Sequence, residues 1–71
     1  MMPYKNNSDL PDRVRDNLPR HAQEIYREAY NNAWDQYQDR DDREGRAHAV
    51  AWSAVKEVYE KNDDGKWVKK D

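Results

Sequence analysis

Metal binding is the first chemistry that the residue types of this chain raise. His21 has Glu24 three positions on, and His48 has Glu44 four positions back. Glu and His one helical turn apart is the ligand arrangement of carboxylate-bridged metal sites in helix bundles. Such a site needs further carboxylates projecting inward, and the apolar faces described below offer none. Neither histidine has a second His, a Cys or a patterned carboxylate at ligand spacing. A capping or partner-facing hydrogen bond is therefore expected for both. The acidic run beginning at Asp39 fails as a calcium loop: Asp41 suits position 3, but Arg43, Glu44 and Val50 fall at positions 5, 6 and 12, where an EF-hand needs a ligand, a glycine and a bidentate Glu. Asp63-Asp64-Gly65 reads as a turn. Nucleophilic catalysis has no candidate set, because Cys is absent, Ser8 and Ser53 are the only serines, and no base and orienter accompany either. Two glycines in the whole chain leave no phosphate-cradling loop. The expectation is a protein with no catalytic residues, no cofactor and no metal.

A binding surface is better supported. Lys56, Lys66, Lys69 and Lys70 surround Trp67 in the sequence of the last third, and these five residues are the candidate partner-binding set. For nucleic acid such a patch would neutralise phosphates without reading bases. Overall charge argues against a dedicated nucleic-acid binder, since 13 basic residues face 15 acidic ones, for a net charge of −2. Mixed signs of this kind describe a solvated surface. Nucleic-acid binding through the basic C-terminal segment stays as the alternative to protein binding.

Three helices are expected to position these residues. Asp9-Leu10-Pro11 is echoed by Asn17-Leu18-Pro19, so a helix starts twice, each time with proline where a missing N–H costs nothing. The first runs from Pro11 to Asn17, with Leu10, Val14 and Leu18 along its inner edge, and ends because Pro19 disfavours α geometry at Leu18. The second runs from Pro19 to Gln38. Ala22, Ile25, Tyr26, Ala29, Ala33 and Tyr37 line its inner face, Tyr30 and Trp34 stand beside it, and Asn31 falls on the wet side. A charged connector over 39–45 leads to a third helix from Glu44 to Lys61. Its inner face is Ala47, Val50, Ala51, Ala54, Val55 and Val58, flanked by Trp52 and Tyr59, with Glu57 and Lys61 as an i,i+4 pair. So short a connector makes the two long helices antiparallel neighbours. Pro3-Tyr4-Lys5 and the segment from Lys66 to Lys70 are expected to meet as a small β clasp between the N- and C-termini.

What holds such a domain together is aromatic. Leu, Ile and Val number only eight in 71 residues and Phe is absent, whereas there are three Trp and five Tyr. Aliphatic content this low reads by composition as disordered. Tyr26, Tyr30, Trp34 and Tyr37, however, recur at helix-face spacings of 4, 4 and 3, and each buried ring supplies about 150–250 Å² of contact. Most rings are therefore committed to the core, with one or two left partly exposed. One domain over residues 1–71, mainly α, is expected, with a net stability of only about 3–5 kcal/mol. The longest apolar run, Ala49 to Trp52, is far below the roughly 20 residues of a membrane span. With no apolar leader at the N-terminus and no cysteine, a cytoplasmic protein without membrane insertion is expected.

The chain resembles the ChaB family in Pro3-Tyr4-Lys5, in Asp9-Leu10-Pro11 and in the block Leu18-Pro19-Arg20-His21-Ala22-Gln23-Glu24-Ile25-Tyr26. The likeness continues through Glu28 to Asn31 and Ala33 to Tyr37, then His48, Val50 to Lys56, Tyr59 and Gly65-Lys66-Trp67. Order and spacing of the three tryptophans make it specific, and it spans nearly the whole chain. Tyr30 stands where a Phe is expected of the family. The resemblance implies a compact three-helix domain with a small terminal sheet. It also implies an accessory role in regulating a cation (sodium/calcium)/proton antiporter, the association for which the family is named, and brings no catalytic residues. Domains of this kind also occur beside nucleic-acid-binding modules, which keeps the alternative in play.

Overall fold

The computed structural model describes residues 4–70. A short 3₁₀ turn, Asn7–Asp9, precedes three helices: α1 (Asp12–Asn17), α2 (Arg20–Gln36) and α3 (Arg43–Val58). Two strands, β1 (Tyr59–Lys61) and β2 (Trp67–Lys69), complete the fold as a two-stranded antiparallel sheet. Pro11 and Pro19 both stand in extended geometry immediately before their helices, with ψ of 148° and 162°. Gln23 reaches back across the break, its amide donating to the carbonyls of Leu18 (2.8 Å) and Arg15 (3.2 Å). It thereby satisfies acceptors that the end of α1 leaves open.

α2 and α3 pack antiparallel and enclose the core. Ala22, Tyr26, Tyr30 and Ala33 face Ala47, Ala51 and Val55, while Leu10, Val14 and Leu18 close one side. Alanines let the helices approach, and the rings fill what remains. Tyr26, fully shielded, meets the edge of Trp52 at 5.1 Å and 75°, and Tyr30 stacks on Trp34 at 5.9 Å. Such pairs contribute about 0.5–1.5 kcal/mol beyond area burial. Val50, expected inside, is 37% exposed. It lies roughly 100° round α3 from Ala51, on the flank opposite Trp52, and α2 covers the Trp52 flank. Five rings, not one or two, are half-buried: Tyr4, Trp34, Tyr37, Trp52 and Trp67. A bundle of two long helices has too little depth to cover both ends of so many large side chains.

The terminal sheet exists but is built differently from the expected clasp. Tyr59 pairs with Lys69, Glu60 with Val68 and Lys61 with Trp67, so both strands come from the C-terminal segment. α3 stops at Val58 because Tyr59 turns extended (φ −121°, ψ 155°), which frees 59–61 to pair locally. Asn62 organises the reversal: its side chain accepts from the backbone N–H of Asp64 (3.0 Å) and Lys66 (2.9 Å). Gly65 supplies the left-handed residue, φ 82°, that the loop requires. Lys61 is thus off the helix, and among the described residues it makes no ion pair with Glu57.

Of the proposed N-terminal half of the clasp, Pro3 lies outside the described residues, and Tyr4 and Lys5 form no strand. Tyr4 is held instead by Asn31, which is only 5% exposed. The Asn31 amide donates to the Tyr4 carbonyl (2.8 Å), and its oxygen accepts from the Tyr4 N–H (3.2 Å). Asn31 is therefore an interior residue rather than a wet one, because the N-terminal arm covers it. Arg27 adds to the arm with bonds to the Asn7 side chain and the Lys5 carbonyl.

Candidate functional site

The hairpin gives the C-terminal lysines their setting. The Lys70 N–H donates to the Val58 carbonyl (2.8 Å), continuing the ladder and tying the chain after β2 to the end of α3. Trp67 packs on Trp52, 5.6 Å between ring centres. Tyr59 is buried, and its hydroxyl lies 3.0 Å from Nδ1 of His21. Between these fixed rings a shallow groove of about 360 Å³ opens, lined by Lys56, Tyr59, Glu60, Lys61, Trp67 and Lys70. Lys56 comes from the last turn of α3 and the other lining residues from the hairpin and its continuation.

Of the candidate set, the structure brings Trp67, Lys56 and Lys70 to one groove. Lys66 and Lys69 are exposed but lie outside it, one in the hairpin loop and one opposite Tyr59. Lys61, Glu60 and Tyr59 were not in that set, because a helix continued to Lys61 scatters them round its circumference. The signal that could have found them is the β-like end of α3 beside the Asn62–Gly65 turn. Three lysines and one carboxylate give the groove a positive rim on a chain whose net charge is −2. Among the described residues none of these lysines takes part in an ion pair.

The two histidines serve the fold, His48 half-buried and His21 from the surface. Tyr26 hydroxyl and His48 Nδ1 are hydrogen-bonded across α2 and α3, and the Tyr30 ring lies 4.8 Å from the imidazole. Burial, with a smaller contribution from Tyr4, pushes the Tyr26 phenol up to about 12, against a small opposing pull from Arg13. It therefore stays protonated and must donate. Burial likewise raises Tyr30. His48 is held below its ordinary value by burial and, more weakly, by Arg13, while Glu44 (3.9 Å from Nε2) works the other way. A neutral His48 accepting from Tyr26 fits both shifts. His21 and Tyr59 form the second crossing of the same kind. Neither histidine reaches the groove or gathers further ligands: no cluster of three metal-ligating side chains occurs among the described residues.

Two other polar regions are taken up by contacts within the fold. The polar hollow of about 500 Å³ beside the 3₁₀ turn contains Ser8, Arg20 and Arg27 but no histidine to activate the serine. Its Arg27 is already bonded to Asn7 and Lys5. At the first residue of α3, Arg43 donates to the Trp34 carbonyl (2.7 Å) and lies 3.8 Å over the Trp34 ring, closing the end of α2. Hydrogen bonding from Arg46, aided by Arg40, holds the Asp42 carboxyl below its usual range despite a small opposing burial effect. No described helix is long and apolar enough to cross a membrane.

The ChaB family model matches residues 10–70. Proteins of Escherichia coli K12 and Shigella flexneri, each described as "Putative cation transport regulator ChaB", are 59% identical over 97% of this chain and 99% of their own length. An NMR solution structure of a protein with the same description superposes with a TM-score of 0.85 at 60% identity, covering 97% of this chain and all of that one. Nearly the whole of this chain thus matches those proteins in sequence and that structure in fold, and the chain belongs to the ChaB family.

Proposed function

We propose that this chain is a non-enzymatic cytoplasmic accessory protein that regulates a cation (sodium/calcium)/proton antiporter by binding a protein partner. The observation that carries this role is the 59% identity, end to end, with relatives described as cation transport regulators. The groove supports binding as the means: a half-buried Trp67 with Lys56 and Lys70 beside it offers an aromatic anchor inside a charged rim. Docking shifts a transporter between states only as far as the protein's affinity differs between them. In everted membrane vesicles carrying the antiporter, adding the purified chain is expected to change the rate of cation-driven proton movement. A deletion strain is expected to lose cation tolerance in the antiporter's presence. Unchanged rates and unchanged tolerance overturn the role.

Nucleic-acid binding is less well supported. Over residues 56–70 five lysines alternate with Glu57, Glu60, Asp63 and Asp64, so a phosphate backbone would meet both signs. Titration with duplex DNA at two salt concentrations separates the readings, because phosphate binding must weaken steeply as salt rises.

A further inference from the structure

We infer that the groove between the end of α3 and the hairpin takes an acidic protein segment carrying an apolar side chain, and that this segment belongs to the regulated partner. The assignment deepens the regulator role and rests on it for the partner's identity. Charge complementarity argues for the occupant. Lys56, Lys61 and Lys70 come from three different stretches of chain to one rim, and only Glu60 opposes them. Acidic neighbours are close in sequence, yet among the described residues no carboxylate pairs with any of the three. Carboxylates of an incoming segment can take that place, with direction and register set by where the ammonium groups stand.

The floor argues for the apolar side chain. Tyr59 is 6% exposed and fixed by His21, and Trp67 is backed by Trp52, so both rings are immobilised before anything binds. A preformed aromatic floor lets an apolar group shed water without a further ordering cost. An anionic membrane surface would also attract lysines and a Trp, but it would meet Glu57, Asp63 and Asp64 on the same end of a chain that is already negative. Even a shallow groove with aromatic rings in its floor favours one side chain laid across it over a plane of headgroups.

Fluorescence anisotropy of a labelled peptide of alternating Glu and Leu, titrated with the full chain, tests this, with Gln/Leu and Lys/Leu peptides alongside. Saturable binding of the Glu/Leu peptide that weakens as salt screens the rim is expected. A weakening of about tenfold is expected in Lys56→Glu/Lys70→Glu, with an unaltered far-UV dichroism spectrum. Lys61→Gln, which removes charge without reversing it, should weaken binding less. Absence of Glu/Leu binding, equal binding of the Gln/Leu peptide, undiminished binding by the double variant, or stronger binding to phosphatidylglycerol vesicles overturns the inference. Peptide binding with unchanged cation tolerance in the deletion strain would remove the regulator role instead; loss of tolerance without peptide binding would remove only the acidic segment.

Discussion

The middle of the aromatic series and its Trp67 end behave differently. At Tyr26 the ring is sealed between helices, its hydroxyl spent on His48 and its edge contact on Trp52. At Trp67 the ring is supported from behind by the same Trp52 but open in front, with lysines rather than alanines for neighbours. Ring chemistry is alike; what differs is whether a second long helix covers it. Tyr and Trp suit both settings because each joins a large apolar body to a polar tip. Substitutions at the sealed rings should thus cost stability, and substitutions at the open end should cost binding.

The largest effect is expected for Tyr26→Ala. Losing a fully buried aromatic costs about 3–5 kcal/mol, comparable with the whole stability of a domain this small. Urea denaturation and far-UV dichroism should find the variant unfolded; a folded variant would mean that Tyr26 is no keystone. Next comes Asn31→Ala, which leaves the Tyr4 N–H and C=O without their partner and should cost about 1–3 kcal/mol. The loss should be accompanied by faster amide exchange at Tyr4 and Lys5.

Acidification gives a third contrast, with a sign that follows from His48. Its pKa in the folded chain is depressed, so the unfolded chain binds a proton first. Stability is full above the unfolded value of about 6.5 and falls as pH drops through it towards the folded value. A protonated imidazole can no longer accept from Tyr26, while Arg13 and the flanking Tyr30 offer it no relief and Glu44 only a partial one. Urea midpoints across that range should fall for the native chain and stay nearly flat for His48→Gln. Smaller still, Gly65→Ala forces a side chain onto φ 82° and should cost about 1 kcal/mol, with amide exchange accelerating over 59–69 and not in α2. The smallest change in stability, within about 0.5 kcal/mol, is expected for the exposed pair Lys56→Glu/Lys70→Glu.

Legibility in the sequence follows the same division. Helix starts just after Pro11 and Pro19 and the inner positions Ala22, Tyr26 and Ala33 are local matters of cap chemistry and period and can be read from the sequence, whereas Tyr30, expected beside that face, is buried in it. Val50 was misplaced because the apolar arc of α3 is wide enough to admit two orientations, and only the position of α2 chooses between them. Asn31 and β1, the partner that β2 takes in place of the N-terminal segment, escape the sequence for a different reason. Asn31 is buried by an N-terminal arm 27 residues away, and residues 59–61 have helical spacing with α3 until the local pairing with β2 takes them off it. Of the groove-lining residues, Trp67, Lys56 and Lys70 are readable in the sequence as a candidate set, whereas Lys61 is not, because its place depends on α3 ending at Val58.

Nuclear Overhauser contacts among the aromatic protons address the central claim most directly. A continuous series predicts cross-peaks from the Trp52 indole to both Tyr26 and Trp67, and on addition of the Glu/Leu peptide a shift of the Trp67 indole N–H with Tyr26 unmoved. Missing Trp52–Trp67 cross-peaks, or a peptide that moves Tyr26 and leaves Trp67 in place, would contradict a core sealed at Tyr26 and open for binding at Trp67.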